Sequence, residues 1–122
     1  MQIPTIPELV EQTTTDRMLS ELGFPAHKIG YDALCIGIPR FALDKRQSLS
    51  KDLYQYIAEK LDIAEWRSVE NDIRRIIAEA WANRNPAIWN KYFPGLNRAP
   101  TNKRFIATLA KYLSQITPPE MI

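Results

Sequence analysis

Apolar positions along this chain recur at spacings of three and four, and no stretch sustains strict alternation, so the pattern is helical throughout. The opening "MQIPTIPELVEQ" carries two prolines in its first seven residues and reads as an arm over residues 1–12. "TTTDRMLSELG" then predicts a short helix, with Thr13 to Thr15 as N-caps, Met18, Leu19 and Leu22 as its apolar stripe, and Gly23 just past its end. "YDALCIGIPRFAL" is apolar enough for a buried helix, with a kink or break expected at Gly37 and Pro39. "SLSKDLYQYIAEKL" predicts a helix capped by Ser48 or Ser50, with Leu53, Tyr54, Ile57, Ala58 and Leu61 facing inward. After a tight turn, Asp62 with Glu65 three residues later suggests a capping box for a long helix ending near Asn83–Asn85, before Pro86. "PAIWNKYF" opens on a first-turn proline and stops at Pro94-Gly95. A last helix, capped by Thr101, turns Phe105, Ile106, Leu109 and Leu113 inward, and "TPP" stops it. The fold class is all-α: a compact bundle of about six helices over residues 13–117, with a tail at 118–122.

The long helix is amphipathic. At about 100° per residue, Val69, Ile73, Ile76, Ile77 and Ala80 form one apolar face, with Trp81 at its border. Arg67, Ser68, Asn71, Arg74 and Arg75 lie on the far side with Ala78 among them, and Glu70 flanks the stripe. Two helices joined by a tight turn, the second polar in its N-terminal half, is the helix-turn-helix pattern. In that geometry arginine can donate two hydrogen bonds to guanine, asparagine can pair with adenine, and a small residue lets the helix approach the groove. Pattern alone leaves open an ordinary solvated face with pairs such as Glu70–Arg74, each worth a few tenths of a kcal/mol.

Charge distribution bears on that choice. Residues 1–84 carry 11 Lys+Arg against 13 Asp+Glu, whereas residues 85–119 carry Lys91, Arg98, Lys103, Arg104 and Lys111 with no acid. A polyanion-facing surface produces such asymmetry, although the overall net charge is only +2. Ser48, Ser50 and Lys51 at one helix start, and Lys103 and Arg104 at another, suit DNA phosphates, because free N–H groups and the helix dipole favour anions there. Ordinary capping beside a solvated lysine accounts for the same residues.

Catalysis has no foothold: the sequence offers no nucleophile–base pair, phosphate-binding glycine loop or metal cluster. Cys35 is the only cysteine and sits among apolar residues as core filler, and His27 is the only histidine, expected to make a local hydrogen bond. No cofactor is expected. Trp81 and Trp89 suit the core, while Trp66, at the start of the long helix, could pack on the DNA backbone or on the neighbouring helix. With no leader and no apolar run near the roughly 18–20 residues a bilayer span requires, the chain reads as soluble and cytoplasmic, without a membrane partner.

Four stretches in order, "SELGFPAHKIGYDAL", "SLSKDLYQYIAEKL", "SVENDIRRIIAEAWANRN" and "PTNKRFIATLAKYL", resemble the C-terminal effector domain of the sporulation stage zero A response regulator. The resemblance runs from about Thr14 to Thr117, and "LGxPAHxxGYxxL" and "PTNxxFIA" are its specific pieces. It implies a six-helix domain that reads a short DNA box through the second helix of its helix-turn-helix. It further implies tandem binding of two copies and contact with the sigma subunit of RNA polymerase. Carried over, the base-facing positions are Arg67, Ser68, Glu70, Asn71, Arg74 and Arg75. Glu70 and Arg74 keep the family residue, Ser68 and Asn71 stand where the family has arginines, Arg67 where it has serine, and Arg75 where it has histidine. The turn before the helix also looks one residue longer. These departures leave the fold untouched and bear on the sequence read. The family's receiver domain has no counterpart here; Met1 and the arm suggest a natural start, hence a receiverless relative, with an excised fragment as the alternative.

The function expected is therefore sequence-specific double-stranded DNA binding by a transcription regulator related to sporulation control. A rival expectation is an interaction protein that modulates the full-length regulator or RNA polymerase by protein contact, supported by the two missing arginines and the acids at Glu70 and Asp72.

Overall fold

A computed structural model describes residues 6–116; the first five residues of the expected arm and the tail at 118–122 lie outside them. The described residues form helices with no strand among them: α1 (Ile6–Glu21), α2 (Ile29–Leu43), α3 (Tyr54–Lys60), α4 (Trp66–Ala82), α5 (Pro86–Tyr92) and α6 (Asn102–Ile116). A π-helical turn, Leu49–Leu53, leads directly into α3. No described helix is long and apolar enough to cross a membrane.

The apolar stripes read from the sequence converge on one core. Leu19, Leu34, Ile38, Leu53, Ile57, Val69, Ile73, Phe105, Ile106 and Leu109 are all fully buried. Helix α2 is central, packing against α1, α4 and α6, while α3 packs on α4. Phe24, Trp89, Phe93 and Phe105 form an aromatic cluster with ring centroids 5.1–6.1 Å apart. The buried Trp89 indole donates to the Leu22 carbonyl at 3.0 Å, which satisfies its N–H and pins α5 beneath the end of α1. Trp89 is core as expected, and the half-buried Trp81 meets it edge-on at 5.4 Å.

Three local expectations are corrected. Helix α1 begins at Ile6, so Thr13 to Thr15 lie inside it rather than capping it, and Thr14 and Thr15 are buried. Pro7 does not break this helix because it occupies the first turn, where no N–H is needed. Helix α2 runs unbroken through Pro39. Pro39 withholds one backbone donor, but burial of Leu34, Ile38 and Phe41 on either side holds the helix together. Asp62 is not the cap of α4: it sits at φ 56°, past the end of α3, and Glu65 occupies the N-cap position without a side-chain cap bond.

The role of Asp62 is to end α3. The Ile63 N–H reaches the Ala58 carbonyl at 2.8 Å and the Asp62 N–H the Glu59 carbonyl at 3.3 Å, the paired bonds of a Schellman turn. Gly23 closes α1 in the same way, at φ 85°, through Phe24 to Leu19 and Gly23 to Ser20. Both turns fold a hydrophobic residue, Ile63 or Phe24, back onto the core.

Gly30 explains part of the "GY" in the opening motif. A Cβ there would lie 2.6 Å from the backbone oxygen of Asp72 and 3.0 Å from Ile76 Cγ2, so α2 and α4 touch backbone to backbone at this point. The adjacent Tyr31 is buried and its hydroxyl donates to the Asp16 carboxylate, tying α2 to α1.

Candidate nucleic-acid interface

Helix α4 presents its polar face outward. Arg67, Ser68, Arg74 and Arg75 are exposed, and Glu70 and Asn71 half-buried, while Val69, Ile73, Ile76, Ile77 and Ala80 are buried beneath. The Glu70–Arg74 ion pair of an ordinary solvated face is not formed; the Arg74 guanidinium donates instead to the Asn71 side-chain oxygen. Arg67 lies with its guanidinium 4.8 Å from the centre of the Trp66 ring, and that ring stacks on Tyr54 of α3 at 6.2 Å and 12°. Trp66 therefore packs on the neighbouring helix.

Beside this face lies an open groove of about 810 Å³ walled by three elements. The loop after α2 and the π-helical turn contribute Arg46, Gln47, Ser48 and Ser50; α4 contributes Glu70, Arg74 and Ala78; the start of α6 contributes Thr101, Asn102 and Lys103. Its cations are Arg46, Arg74 and Lys103 and its one acid is Glu70. Of the expected reading and phosphate residues, the groove gathers Glu70, Arg74, Ser48, Ser50 and Lys103. Arg67, Ser68, Asn71 and Arg75 lie along α4 outside its walls, and Lys51 is exposed at the π-helical turn. Arg104 is not brought into it: with Lys111 and Tyr112 it lines a separate cleft between α5 and α6.

Two helix starts face this groove with their caps in place. The Ser48 hydroxyl accepts from the Lys51 N–H at 3.2 Å while Asp52 accepts from the Ser48 N–H at 2.8 Å, a reciprocal capping box. The Thr101 hydroxyl oxygen accepts from the Arg104 N–H at 3.2 Å. Asn102 joins the walls: its amide donates to Tyr54 Oη at 3.1 Å and to the Glu70 carbonyl at 3.0 Å. Burial pushes the Tyr54 phenol above its ordinary range, so its oxygen stays protonated and accepts the Asn102 bond as a neutral hydroxyl.

Arg46, Gln47 and Asn102 were not singled out from the sequence. The basic doublet Lys45-Arg46 just before the Ser48 cap was a signal for the first; the bond from Asn102 to a carbonyl 32 residues away left none. His27 is exposed and makes no hydrogen bond among the described residues, so the expected local bond is not formed. Cys35 is half-buried, and burial holds its thiol up at about 12, where it is a poor nucleophile. Among the described residues no cluster of His, Cys, Asp and Glu could hold a metal ion.

An all-α domain whose α3 and α4 meet through a tight turn, with the polar face of α4 turned out beside a basic groove, is a helix-turn-helix domain. The family model described as "sporulation initiation factor Spo0A C terminal" matches residues 15–113, and the chain belongs to that family of DNA-binding regulators of sporulation. No curated protein matches the chain.

Proposed function

We propose that this protein binds double-stranded DNA sequence-specifically, laying the first turns of α4 in the major groove. Arg67, Ser68, Glu70, Asn71, Arg74 and Arg75 form the reading set, and Ser48, Ser50, Lys51, Lys103 and Arg104 the phosphate set. The observation that carries this reading is the exposure of the α4 polar face beside a groove edged by Arg46, Arg74 and Lys103. The Asn71–Arg74 bond supports it, because it holds the guanidinium in place before any base is met and so lowers the ordering cost of binding. Arg104 is the weakest member of the phosphate set, since it belongs to the α5–α6 cleft. The family extends the proposal to two copies on neighbouring sites, contact with the RNA polymerase sigma subunit, and action in the cytoplasm as a transcription regulator.

The test is a salt-titrated binding assay on duplexes selected by the protein from a random library. Arg74→Ala should cost about 1–3 kcal/mol on a selected duplex and relax specificity at one position, whereas Lys103→Ala should weaken all duplexes evenly and reduce the salt slope by about 1. Equal losses on selected and scrambled DNA for Arg74→Ala would remove it from the reading set. Absence of DNA binding by the wild type, with capture of the full-length regulator or polymerase, would favour the protein-contact alternative.

A further inference from the structure

Asn102 is the first residue of α6, yet its amide is spent on two other helices: the Tyr54 hydroxyl of α3 and the Glu70 backbone carbonyl of α4. The carbonyl of a mid-helix residue already accepts from the N–H four residues on, and its second lone pair takes the Asn102 donor. Tyr54 in turn stacks on Trp66, and Trp66 carries the Arg67 guanidinium over its ring. A continuous line of contacts thus runs from the start of α6 to the first exposed arginine of α4. Lys103, next to Asn102, lines the same groove as Arg74.

We infer that Asn102 is a positioning residue for DNA reading: it sets the rotation and axial position of α4 relative to the phosphate contact at the start of α6. The inference rests on the DNA-binding reading above. Interdigitated apolar side chains lock the inner face of α4, but apolar burial is non-directional and places no restraint at the polar edge beside the groove. Two hydrogen bonds from one amide, one of them to helix backbone, are directional and do restrain that edge. Base edges must be met within hydrogen-bond geometry, whereas a point charge near a phosphate tolerates displacement. A loosened α4 therefore loses discrimination before it loses general affinity. Asn102 is only half-buried, so water can take the place of its amide and the fold should survive its removal.

The experiment compares wild type, Asn102→Ala and Tyr54→Phe on a wild-type-selected duplex and a scrambled one, at matched salt, with folding checked by circular dichroism. Loss of two hydrogen bonds predicts about a tenfold drop for Asn102→Ala on the selected duplex, with the scrambled duplex and the salt slope unchanged. Tyr54→Phe, which keeps the ring stack and the Glu70 bond, should show a smaller loss of the same kind and carries the test should Asn102→Ala fail to fold. In an Arg67→Ala background the Asn102→Ala effect should shrink, because one of the contacts it positions is gone. Equal losses on both duplexes, or none in folded protein, overturn the positioning role while leaving DNA binding intact. Failure of the wild type to discriminate any duplex overturns the DNA-reading proposal and this inference with it.

Discussion

Two glycines in the same helix offer a controlled measurement of how closely α4 is held. At Gly30 a Cβ would meet the Asp72 carbonyl oxygen at 2.6 Å and Ile76 Cβ and Cγ2 at 3.1 and 3.0 Å. At Gly37 it would meet Ile57 Cδ1 at 2.8 Å, with the next atoms no nearer than 3.7 Å. Both substitutions to alanine gain about 1 kcal/mol of helix propensity. What differs is what must move. The Ile57 terminal methyl can be displaced by a small torsional change, so Gly37→Ala should lie within about 1 kcal/mol of wild type. The Asp72 oxygen is helix backbone, so Gly30→Ala has to push α2 and α4 apart, at the upper end of the 1–3 kcal/mol typical of overpacking. Net of propensity, Gly30→Ala should destabilise by about 1–2 kcal/mol, a fall in melting temperature of roughly 4 °C per kcal/mol for a chain of this size. Urea denaturation of both variants measures the difference directly. Because Asp72 and Ile76 belong to α4, the displacement should also weaken selected duplexes more than scrambled ones. A Gly30→Ala protein as stable as Gly37→Ala and wild type would refute the backbone contact between α2 and α4.

Asp62 holds φ 56° without being glycine, so Asp62→Gly should stabilise the fold by about 0.5–1 kcal/mol and leave DNA affinity unchanged; a lower urea midpoint would contradict its place as the α3 terminator. Burial holds the Tyr31 and Tyr92 phenols at about 12 against an ordinary 10.0, and the Cys35 thiol at about 12 against 9.0. From about pH 9 to about 12 the folded chain keeps protons that the unfolded chain releases, so stability is undiminished below that window and declines as pH rises through it. A urea midpoint that stays flat from pH 8 to 11 would be inconsistent with this, and Tyr92→Phe should make the decline shallower. At pH 8 Cys35 should react with a disulfide reagent far more slowly than a free thiol, and speed up on unfolding in urea.

What was legible in the sequence was whatever local periodicity and capping chemistry encode. The stripe Val69, Ile73, Ile76, Ile77 and Ala80 is buried as its 3.6-residue spacing requires, Thr101 caps α6 as expected, and of the two candidate caps Ser48 and Ser50 it is Ser48 that accepts the capping bond. The failures share a cause, in that one residue type serves two opposite local roles. Pro7 and Pro39 look like breakers, but the first sits in a first turn and the second is held in place by apolar burial. Asp62 looks like an N-cap because aspartate caps helices, yet aspartate also tolerates the left-handed conformation, and here ending α3 won over starting α4. Lys103 and Arg104 look equivalent in sequence, but adjacent helix positions point about 100° apart, which sends one to the groove and the other to the α5–α6 cleft. The Asn102 brace depends on tertiary proximity alone.

The separation of the two faces of α4 has an evolutionary consequence. Its inner side chains are locked between α2, α3 and α6, so exchange there is paid for in folding. Among its outer side chains, Asn71 meets Arg74, and Arg67 lies over the Trp66 ring. Mutations on the outer face should therefore be nearly silent for folding, and under the DNA-reading proposal the chain can drift from one target sequence to another without passing through an unstable ancestor. Arg67, Ser68, Asn71 and Arg75, the proposed reading positions where the resemblance puts other residues in the family, all lie on that permissive side.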